Sequence, residues 1–386
     1  MALKTGRGAA AAPFLVMDVI AAANAKQASA RAGAPGVIRM EVGQPGTGAP
    51  AGAAAAATAA IARGEALGYT EALGRPSLRA RIARHYGEWY GLDLAPGRVA
   101  VTLGASGAFP LAFLAAFDPT DRVALTAPFY PPYRNILTAL GLSPVILETT
   151  AETRFQPTIA LLERITPRPD GLIIASPSNP AGSMLTPAEL EAIARFCHAN
   201  GIRLISDEIY HGIQYGTPIA TAAAFSPSAI VINSFSKYFS MTGWRVGWMV
   251  LPEDLVRPVE CLAQNFFISA PHIAQVAAEA ALACGAELEA NIARYRRSRD
   301  LLLRALPDAG FPELSPAEGA FYLFADVSSR TNDSVSFAAR MLAETSIAVT
   351  PGVDFDHRRG RSFLRFSYCG PESDMAEAAR RLADWR

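Results

Sequence analysis

The stretch SFSKYFSMTGWRVGW, residues 234–248, is the starting point for predicting the fold. It follows the apolar run AIVI at residues 229–232, and β-branched residues that give way to small polar ones predict a buried strand ending at a loop. Open α/β sheets place their ligand chemistry at such strand ends. We therefore expect Lys237 to lie at the carboxyl edge of a sheet, although a lysine is ordinarily a solvated surface residue.

Hydroxyl groups and one cation surround Lys237 in the sequence. Ser234, Ser236 and Ser240 supply the hydroxyls and Arg245 supplies the charge, a grouping that suits a phosphate better than water. A lysine beside a bound phosphate can form an imine with an aldehyde, which is how an amine nucleophile holds pyridoxal phosphate. The pattern SxSK followed by TGWRxG resembles the lysine segment of the fold type I pyridoxal-phosphate-dependent aminotransferases of class I/II, the aspartate aminotransferase-like group.

Length and charge exclude several classes of protein. The chain of 386 residues exceeds one average domain, and its 35 basic residues equal its 35 acidic ones. Because the chain carries no net charge that would attract nucleic acid or an anionic membrane, we expect its partners to be small molecules and a second copy of the chain. The four cysteines show no spacing typical of a metal site or a disulfide framework, and no apolar run is long enough to span a membrane. These features predict a cytoplasmic protein without a metal site.

Short apolar runs alternate with helical periods through the middle of the chain. They lie at residues 99–103, 123–126, 145–147, 172–175, 202–206, 229–232 and 246–250. Strands separated by helices predict an α/β fold with a mostly parallel sheet that is covered on both faces. A short strand at 37–42, an arginine-rich helix at 291–305 and strands near 321–324 and 363–367 predict a smaller α+β domain. We place the large domain at residues 46–285 and the small domain at residues 1–45 and 286–386.

A turn of small residues follows the first strand of the large domain. Gly104, Ala105 and Ser106 precede a helix predicted over residues 108–117. Such a turn lets backbone N–H groups approach an anion at the helix N-terminus, but on its own it is weak evidence. The resemblance assigns this turn to the cofactor phosphate, together with the serines and the arginine of the lysine segment.

The segment SDEIY at residues 206–210 follows another predicted strand. An aspartate at this place is often a cap for the following turn, and this is the ordinary interpretation of Asp207. The resemblance implies instead that Asp207 pairs with the pyridine nitrogen of the cofactor, where a carboxylate keeps the ring protonated and able to accept electrons. It also implies that the Tyr210 hydroxyl donates to the ring oxygen O3′.

Two further loops carry expected cofactor contacts. Asn179 in SPSNPAG corresponds to the family asparagine that contacts O3′ and the substrate carboxylate, although an alanine replaces the usual threonine two residues later. Tyr130 lies where the family places a flat ring against the pyridine, a position often occupied by tryptophan; loop aromatics otherwise usually belong to the core. In relatives, cis bonds precede the prolines that correspond to Pro128 and Pro180.

The substrate carboxylate needs a cationic partner. Arg365 lies between apolar residues in FLRFS, and a buried guanidinium requires an anion, supplied by either a structural salt bridge or a ligand. The resemblance makes Arg365 the bidentate clamp for the α-carboxylate. It also implies that Gly43 in VGQP brings a backbone N–H to the same group.

The stretch YTEALGRPSLR, residues 69–79, resembles the family segment YTxxxGxxxLR. In relatives this tyrosine reaches the phosphate of the neighbouring subunit. Tyr69 therefore predicts a homodimer with shared active sites.

The matching segments occur in the family's order, from VGQP at 42–45 to LRFS at 364–367, and together they predict a pyridoxal-phosphate-dependent aminotransferase. Lys237, Asp207 and Tyr210 are its expected catalytic residues. The expected reaction moves an amino group between an L-amino acid and a 2-oxo acid, with 2-oxoglutarate as one partner. Residues 99–121 contain no lysine or arginine, which favours a neutral or aromatic donor without excluding aspartate.

Two alternatives remain at this stage. Related sites catalyse β-elimination, so a carbon–sulfur β-lyase is the enzyme alternative. A non-catalytic regulator that binds the cofactor is the other. Regulators of that kind carry a basic DNA-binding segment before the cofactor domain, and with VGQP at residue 42 we expect none here.

Overall fold

The computed structural model describes residues 3–31, 33 and 35–385. In this part of the chain the strands are β1 (Ile38–Arg39), β2 (Val99–Thr102), β3 (Arg122–Ala127), β4 (Ser143–Glu148), β5 (Gly171–Ala175), β6 (Arg203–Asp207), β7 (Ile230–Ser234), β8 (Gly247–Val250), β9 (Glu313–Leu314), β10 (Tyr322–Asp326), β11 (Ile347–Ala348), β12 (Thr350–Pro351) and β13 (Phe363–Ser367). The α-helices are α1 (Leu15–Ala28), α2 (Ala51–Ala62), α3 (Pro76–Tyr90), α4 (Gly104–Ala116), α5 (Pro132–Leu140), α6 (Ile159–Glu163), α7 (Pro187–Ala199), α8 (Glu253–Phe266), α9 (His272–Ala281), α10 (Gly285–Asp308), α11 (Ser334–Thr345) and α12 (Glu372–Asp384).

Strands β2 to β8 form one sheet of seven strands in the order β2-β8-β7-β6-β5-β3-β4. Strand β8 runs antiparallel to its neighbours β2 and β7, and the remaining pairs are parallel. The prediction of a mostly parallel α/β sheet is therefore confirmed. The seven predicted strands agree with the observed ones to within two residues at each end, because long β-branched runs have few other ways to bury both faces.

Both faces of this sheet are buried. Leu172 and Ile174 of β5 enter one apolar cluster with Ile193 of α7, whereas Ile173 between them enters a second cluster with Phe109 and Phe113 of α4. Side chains alternate between the faces of a strand, so this division shows helices packed on each side. It explains why β5 and β7 each contain three consecutive apolar β-branched or leucine residues in the sequence.

A second sheet lies in the C-terminal part of the chain. It is antiparallel, with the order β12-β13-β10-β9. A separate parallel pair joins β1 to β11, with Ile38 opposite Ile347, so the N-terminal segment packs with the C-terminal part. This contact supports a small domain made of residues 1–45 and 286–386, whose boundaries stay a prediction.

Two elements differ from the sequence prediction. The strand expected at 37–42 is limited to β1, because after Met40 the chain turns and presents the Glu41 carbonyl to Arg365. Helix α4 begins at Gly104, four residues earlier than predicted, because Gly104 adopts φ +65° and lets the helix start directly after β2. Among the described residues, no helix is long and apolar enough to cross a membrane.

Candidate active site

One cavity of about 660 Å³ contains most of the predicted site residues. It lies beyond the carboxyl ends of β5, β6 and β7, where an open α/β sheet binds its ligands. The residues expected from sequence that line it are Gly43, Ala105, Ser106, Tyr130, Asn179, Asp207, Tyr210, Ser236, Lys237, Arg245 and Arg365. Gly104, Ser234 and Tyr69 do not line it.

Lys237 follows β7 and extends its amine into this cavity. Its Nζ donates a hydrogen bond to the carbonyl oxygen of Gly43 and lies 5.8 Å from the ring centroid of Tyr210. Burial of the charged form lowers the pKa of the Lys237 amine to about 8, and the cations Arg365 and Arg245 act in the same direction. The structure therefore makes the neutral, nucleophilic form of this amine easier to reach than in an ordinary solvated lysine.

Asp207 is the last residue of β6 and is buried. Its Oδ1 accepts a hydrogen bond from the backbone N–H of Ile209 at 3.1 Å, so one oxygen does cap the following turn. Its Oδ2 accepts the hydroxyl of Tyr133. Burial raises the pKa of the Asp207 carboxyl to about 6, while both hydrogen bonds and Lys237 oppose that rise. The group thus stays anionic near neutral pH and faces the cavity.

The turn at the start of α4 faces Arg245. A Cβ on Gly104 would come 2.8 Å from the Arg245 Nη2, so glycine allows the guanidinium to approach the first turn of the helix. Ala105 and Ser106 line the cavity at this place. Backbone N–H groups of a helix N-terminus and a guanidinium together form a binding site for an anion.

Ser234 and Ser236 differ in their contact with the cavity. The Ser234 hydroxyl donates to the carbonyl oxygen of Val246 at 3.1 Å and lies 2.9 Å from the Ser236 hydroxyl. Ser236 lines the cavity, whereas Ser234 lies behind it. Ser234 therefore supports Ser236 and does not itself face the cavity in this structure.

Arg365 of β13 is 2 % exposed. Its Nη1 donates to the Asn179 Oδ1 at 2.9 Å, and its Nη2 donates to the Thr350 Oγ1 at 3.1 Å and to the Glu41 carbonyl oxygen. Within the described part of the chain no carboxylate forms an ion pair with Arg365, and its Nε has no hydrogen-bond partner. The structural salt bridge considered above is thus not found, and the buried charge is available for an anionic ligand.

Aromatic side chains complete the walls. The Tyr130 ring contacts Phe14 and Tyr133 edge to face, with centroids 5.7 and 5.4 Å apart. The bonds before Pro128 and Pro180 are cis, as the resemblance led us to expect.

Several cavity residues were not predicted from the sequence. Tyr133, Thr242 and Tyr322 line it, as do Phe14, Val16, Met17 and Ile20 from α1 and the residue before it. Tyr133 lies three residues after Tyr130, and its backbone N–H donates to the Tyr130 carbonyl oxygen at 3.1 Å in the turn that leads into α5. This short spacing was the signal in the sequence that could have identified Tyr133.

Tyr69 lies outside the cavity of its own chain and is 82 % exposed. Phe266 and Ile268 are also exposed, at 53 % and 49 %. The segments that carry these residues are adjacent, because the backbone N–H of Thr70 donates to the Ser269 hydroxyl at 3.3 Å.

The fold and the site together define an α/β enzyme of the transaminase class. A crystal structure of an aminotransferase from Mycobacterium tuberculosis superposes with a TM-score of 0.96 at 46 % identity, covering 100 % of this chain and 99 % of that one. The aspartate aminotransferase of Thermus thermophilus with maleate superposes with a TM-score of 0.91 at 31 % identity, covering 100 % of both chains.

The chain belongs to the family described as aminotransferase class I and II, which its residues 35–382 match. It is 47 % identical over 381 residues to the valine–pyruvate aminotransferase of Mycobacterium tuberculosis, covering 97 % of this chain and 96 % of that protein. The resemblance stated from sequence is confirmed, and so is the prediction of an aminotransferase acting on amino acids and 2-oxo acids.

Proposed function

We propose that this aminotransferase carries pyridoxal phosphate on Lys237 and moves the amino group of an apolar L-amino acid to pyruvate. The observation that carries the proposal is the arrangement of the Lys237 amine, the Asp207 carboxylate and the anion-binding turn of α4 around one cavity. No other group of described residues combines a half-buried amine, a buried carboxylate and a site for an anion in this way.

The cavity residues fit this cofactor. The start of α4, with Ala105 and Ser106, and the Arg245 guanidinium would hold its phosphate. The anionic Asp207 would pair with its ring nitrogen, and Tyr130 would lie against the ring. When bound, the cofactor supplies an electron sink for the carbanion formed at the substrate Cα. We propose that Tyr210 and Asn179 hold the ring oxygen.

Arg365 and Lys237 would act directly on the substrate. The free Nε of Arg365 and its two engaged nitrogens offer a planar fork for the α-carboxylate, and Gly43 lies beside it in the cavity wall. A substrate held at this point presents its Cα to the same cavity as Lys237. The Lys237 Nζ would remove the Cα proton as general base and, as general acid, deliver it to the cofactor carbon C4′, a role suited to an amine whose pKa is about 8.

The part of the cavity formed by α1 is apolar, which bears on the substrate side chain. Phe14, Val16, Met17 and Ile20 line it. Among the described side chains the cations of the cavity are Lys237, Arg245 and Arg365, each already assigned. A second substrate carboxylate would lack a partner there, and this favours valine-like donors and pyruvate, in agreement with the name of the Mycobacterium tuberculosis relative. The sequence led us to expect 2-oxoglutarate as the acceptor, so its reaction should be compared with that of pyruvate.

We further propose a homodimer in which Tyr69 reaches the phosphate site of the partner subunit. Its 82 % exposure, beside the exposed Phe266 and Ile268, supports this proposal. The cytoplasmic location expected from the sequence is likewise retained as a proposal.

A half-reaction screen tests the proposed function. The purified protein, loaded with pyridoxal phosphate, is mixed with single amino acids, and the loss of the cofactor's aldehyde-derived absorbance is followed. Valine and alanine should react faster than aspartate and glutamate, and pyruvate should restore the starting spectrum faster than 2-oxoglutarate. Faster reaction with aspartate and glutamate would refute the apolar specificity.

Two further results would refute the transamination itself. One is release of pyruvate and ammonia from cysteine or cystathionine without amino transfer, which would indicate the lyase. The other is full turnover by a Lys237→Ala variant, since that variant lacks the amine that holds the cofactor and moves the proton.

A further inference from the structure

Tyr322 is a buried cavity residue to which the proposed mechanism assigns no role. It begins β10 of the antiparallel sheet, is 1 % exposed and lines the cavity. Its hydroxyl oxygen lies 2.7 Å from the hydroxyl oxygen of Tyr210, which follows β6 of the large sheet. This hydrogen bond joins the two sheets inside the cavity.

Neighbouring groups restrict the position of the Tyr322 hydroxyl on two sides. A Cβ on Gly43 would lie 2.0 Å from the Tyr322 oxygen, so the glycine is what makes room for it. On the other side the Arg365 guanidinium lies 4.4 Å from the Tyr322 ring centroid. The phenol is therefore held between the backbone at Gly43 and Arg365. Among the described residues, Tyr210 is its hydrogen-bond partner.

The two phenols have two protons but share one hydrogen bond. Burial raises the pKa of both hydroxyls well above the usual value, so each keeps its proton at neutral pH. One of them donates to the other, and the proton of the acceptor is left to point elsewhere.

We propose that Tyr322 is a positioning residue that donates its hydroxyl proton to the Tyr210 oxygen and so directs the Tyr210 proton toward the ring oxygen of the cofactor. This inference rests on the proposed function, since it requires Tyr210 to face the cofactor. A hydroxyl that accepts a hydrogen bond becomes a stronger donor, because chains of hydrogen bonds polarise one another. Tyr322 therefore makes Tyr210 a better donor to the ring oxygen.

The pH dependence of the bound cofactor's absorbance reports on this effect. When Lys237 is joined to the cofactor, electron density on the ring oxygen helps to keep the Lys237 nitrogen protonated. A hydrogen-bond donor at that oxygen withdraws part of this density, so the nitrogen loses its proton at a lower pH. Weakening that donor should raise the pH midpoint of the absorbance change. We expect the midpoint to rise by about one pH unit in Tyr210→Phe and by about half a unit in Tyr322→Phe, the size of one modest hydrogen bond.

A double-mutant cycle separates positioning from a general structural effect. If Tyr322 acts through Tyr210, adding Tyr322→Phe to the Tyr210→Phe variant should leave the midpoint where Tyr210→Phe placed it. Tyr368→Phe is the matched control, because Tyr368 is also fully buried and its hydroxyl contacts the Ala320 carbonyl instead. It should leave the midpoint unchanged. The affinity of each apoprotein for pyridoxal phosphate, measured by absorbance titration, should fall about two- to fivefold in Tyr322→Phe and stay constant in the control.

Three results would overturn the inference: an unmoved midpoint in Tyr322→Phe, a shift of equal size in Tyr368→Phe, or equal shifts with and without Tyr210. Melting temperatures of the apoproteins show whether each variant is folded. A wild-type protein that gains no cofactor absorbance, and no mass increase after borohydride reduction, would instead refute the proposed function.

Discussion

At the scale of the residue, Lys237 combines a half-buried amine with two cations that lower its pKa, Arg245 and Arg365. Its pKa of about 8 leaves roughly a tenth of the amine neutral at pH 7, about 200 to 300 times the neutral fraction of a lysine with the usual pKa. The neutral amine is the nucleophile, so this environment raises reactivity toward an aldehyde near neutral pH.

We predict that the rate at which the apoprotein combines with pyridoxal phosphate rises about tenfold per pH unit below pH 8 and levels off above it. The neutral form of the amine dominates above the pKa, which sets the direction of the change. Stopped-flow absorbance over pH 6–10 measures the rate. The Lys237→Ala variant should not show this absorbance change. A rate that keeps rising up to pH 10 would show that Lys237 has the pKa of an ordinary lysine.

Asp207 yields a prediction about stability. Its pKa in the folded chain is about 6 against 3.8 for the free group, so its contribution to stability is complete below pH 3.8 and is lost as the pH rises through 6. Above pH 7 the buried charge costs about 1–3 kcal/mol. Asp207→Asn should therefore stabilise the apoprotein by this amount at pH 8, have little effect at pH 4, and abolish transamination.

Urea unfolding of the apoprotein at the two pH values measures this effect. Asp308, an exposed carboxylate at the end of α10, supplies the control substitution Asp308→Asn, which should change neither value. Equal stability of Asp207→Asn and the wild type at pH 8 would show that burying the charged carboxylate does not destabilise the folded protein.

The sequence predicted the residues that lie in short loop motifs and missed those that depend on strand register. Lys237 and Asn179 follow a strand and Asp207 ends one, each within a recognisable run of residues. Tyr322 enters the cavity because β10 pairs antiparallel with β13, with Phe324 opposite Arg365, which puts Tyr322 and Arg365 on the same face. Periodicity within one strand cannot supply that pairing.

At the scale of the element, strands with several consecutive apolar residues were predictable from the sequence, whereas two-residue strands were not. Strands β5 to β7 are buried on both faces and need no partner to be recognised. Strand β1 has two residues and exists through its contact with β11, about 300 residues away in sequence, so no local pattern sets its length. The start of α4 at Gly104 likewise depends on one positive φ angle.

Helix α1 provides the prediction for this scale. The Asp354 carboxylate accepts the backbone N–H groups of Leu15 and Val16 at 3.0 and 3.1 Å, which fixes the helix end that carries the apolar cavity wall. Asp354→Ala removes this cap, at a cost of about 1 kcal/mol to the helix position. We expect the KM for valine to rise about three- to tenfold, with the affinity for pyridoxal phosphate unchanged.

The control removes a helix cap that lies away from the cavity. Asp333 caps α11 by accepting the backbone N–H of Ser336 at 3.2 Å. Asp333→Ala should lower the melting temperature but leave the KM for valine unchanged. Equal KM values for the two variants would show that α1 does not hold the substrate side chain. Hydrogen exchange should increase at residues 15–20 in Asp354→Ala alone.

At the scale of the whole molecule, the exposed Tyr69 bears on whether one chain or a pair of chains forms a complete active site. Tyr69 is held in place, because its neighbour Gly68 accepts a hydrogen bond from the His272 ring at 3.1 Å and Thr70 contacts Ser269. A tyrosine that is 82 % exposed on a hydrogen-bonded segment, beside the exposed Phe266 and Ile268, favours an interface over a loop in solvent.

Mixed dimers test whether Tyr69 serves the partner's site. A Lys237→Ala chain and a Tyr69→Ala chain should each form poorly active homodimers. In a mixed dimer, the site with the intact Lys237 receives the partner's Tyr69, which is also intact, so one of two sites is complete. Because random mixing makes half of the dimers mixed, unfolding and refolding the two chains together should restore about a quarter of wild-type activity. If Tyr69 served its own chain, both sites of the mixed dimer would be defective, and activity would stay at the mean of the two parents.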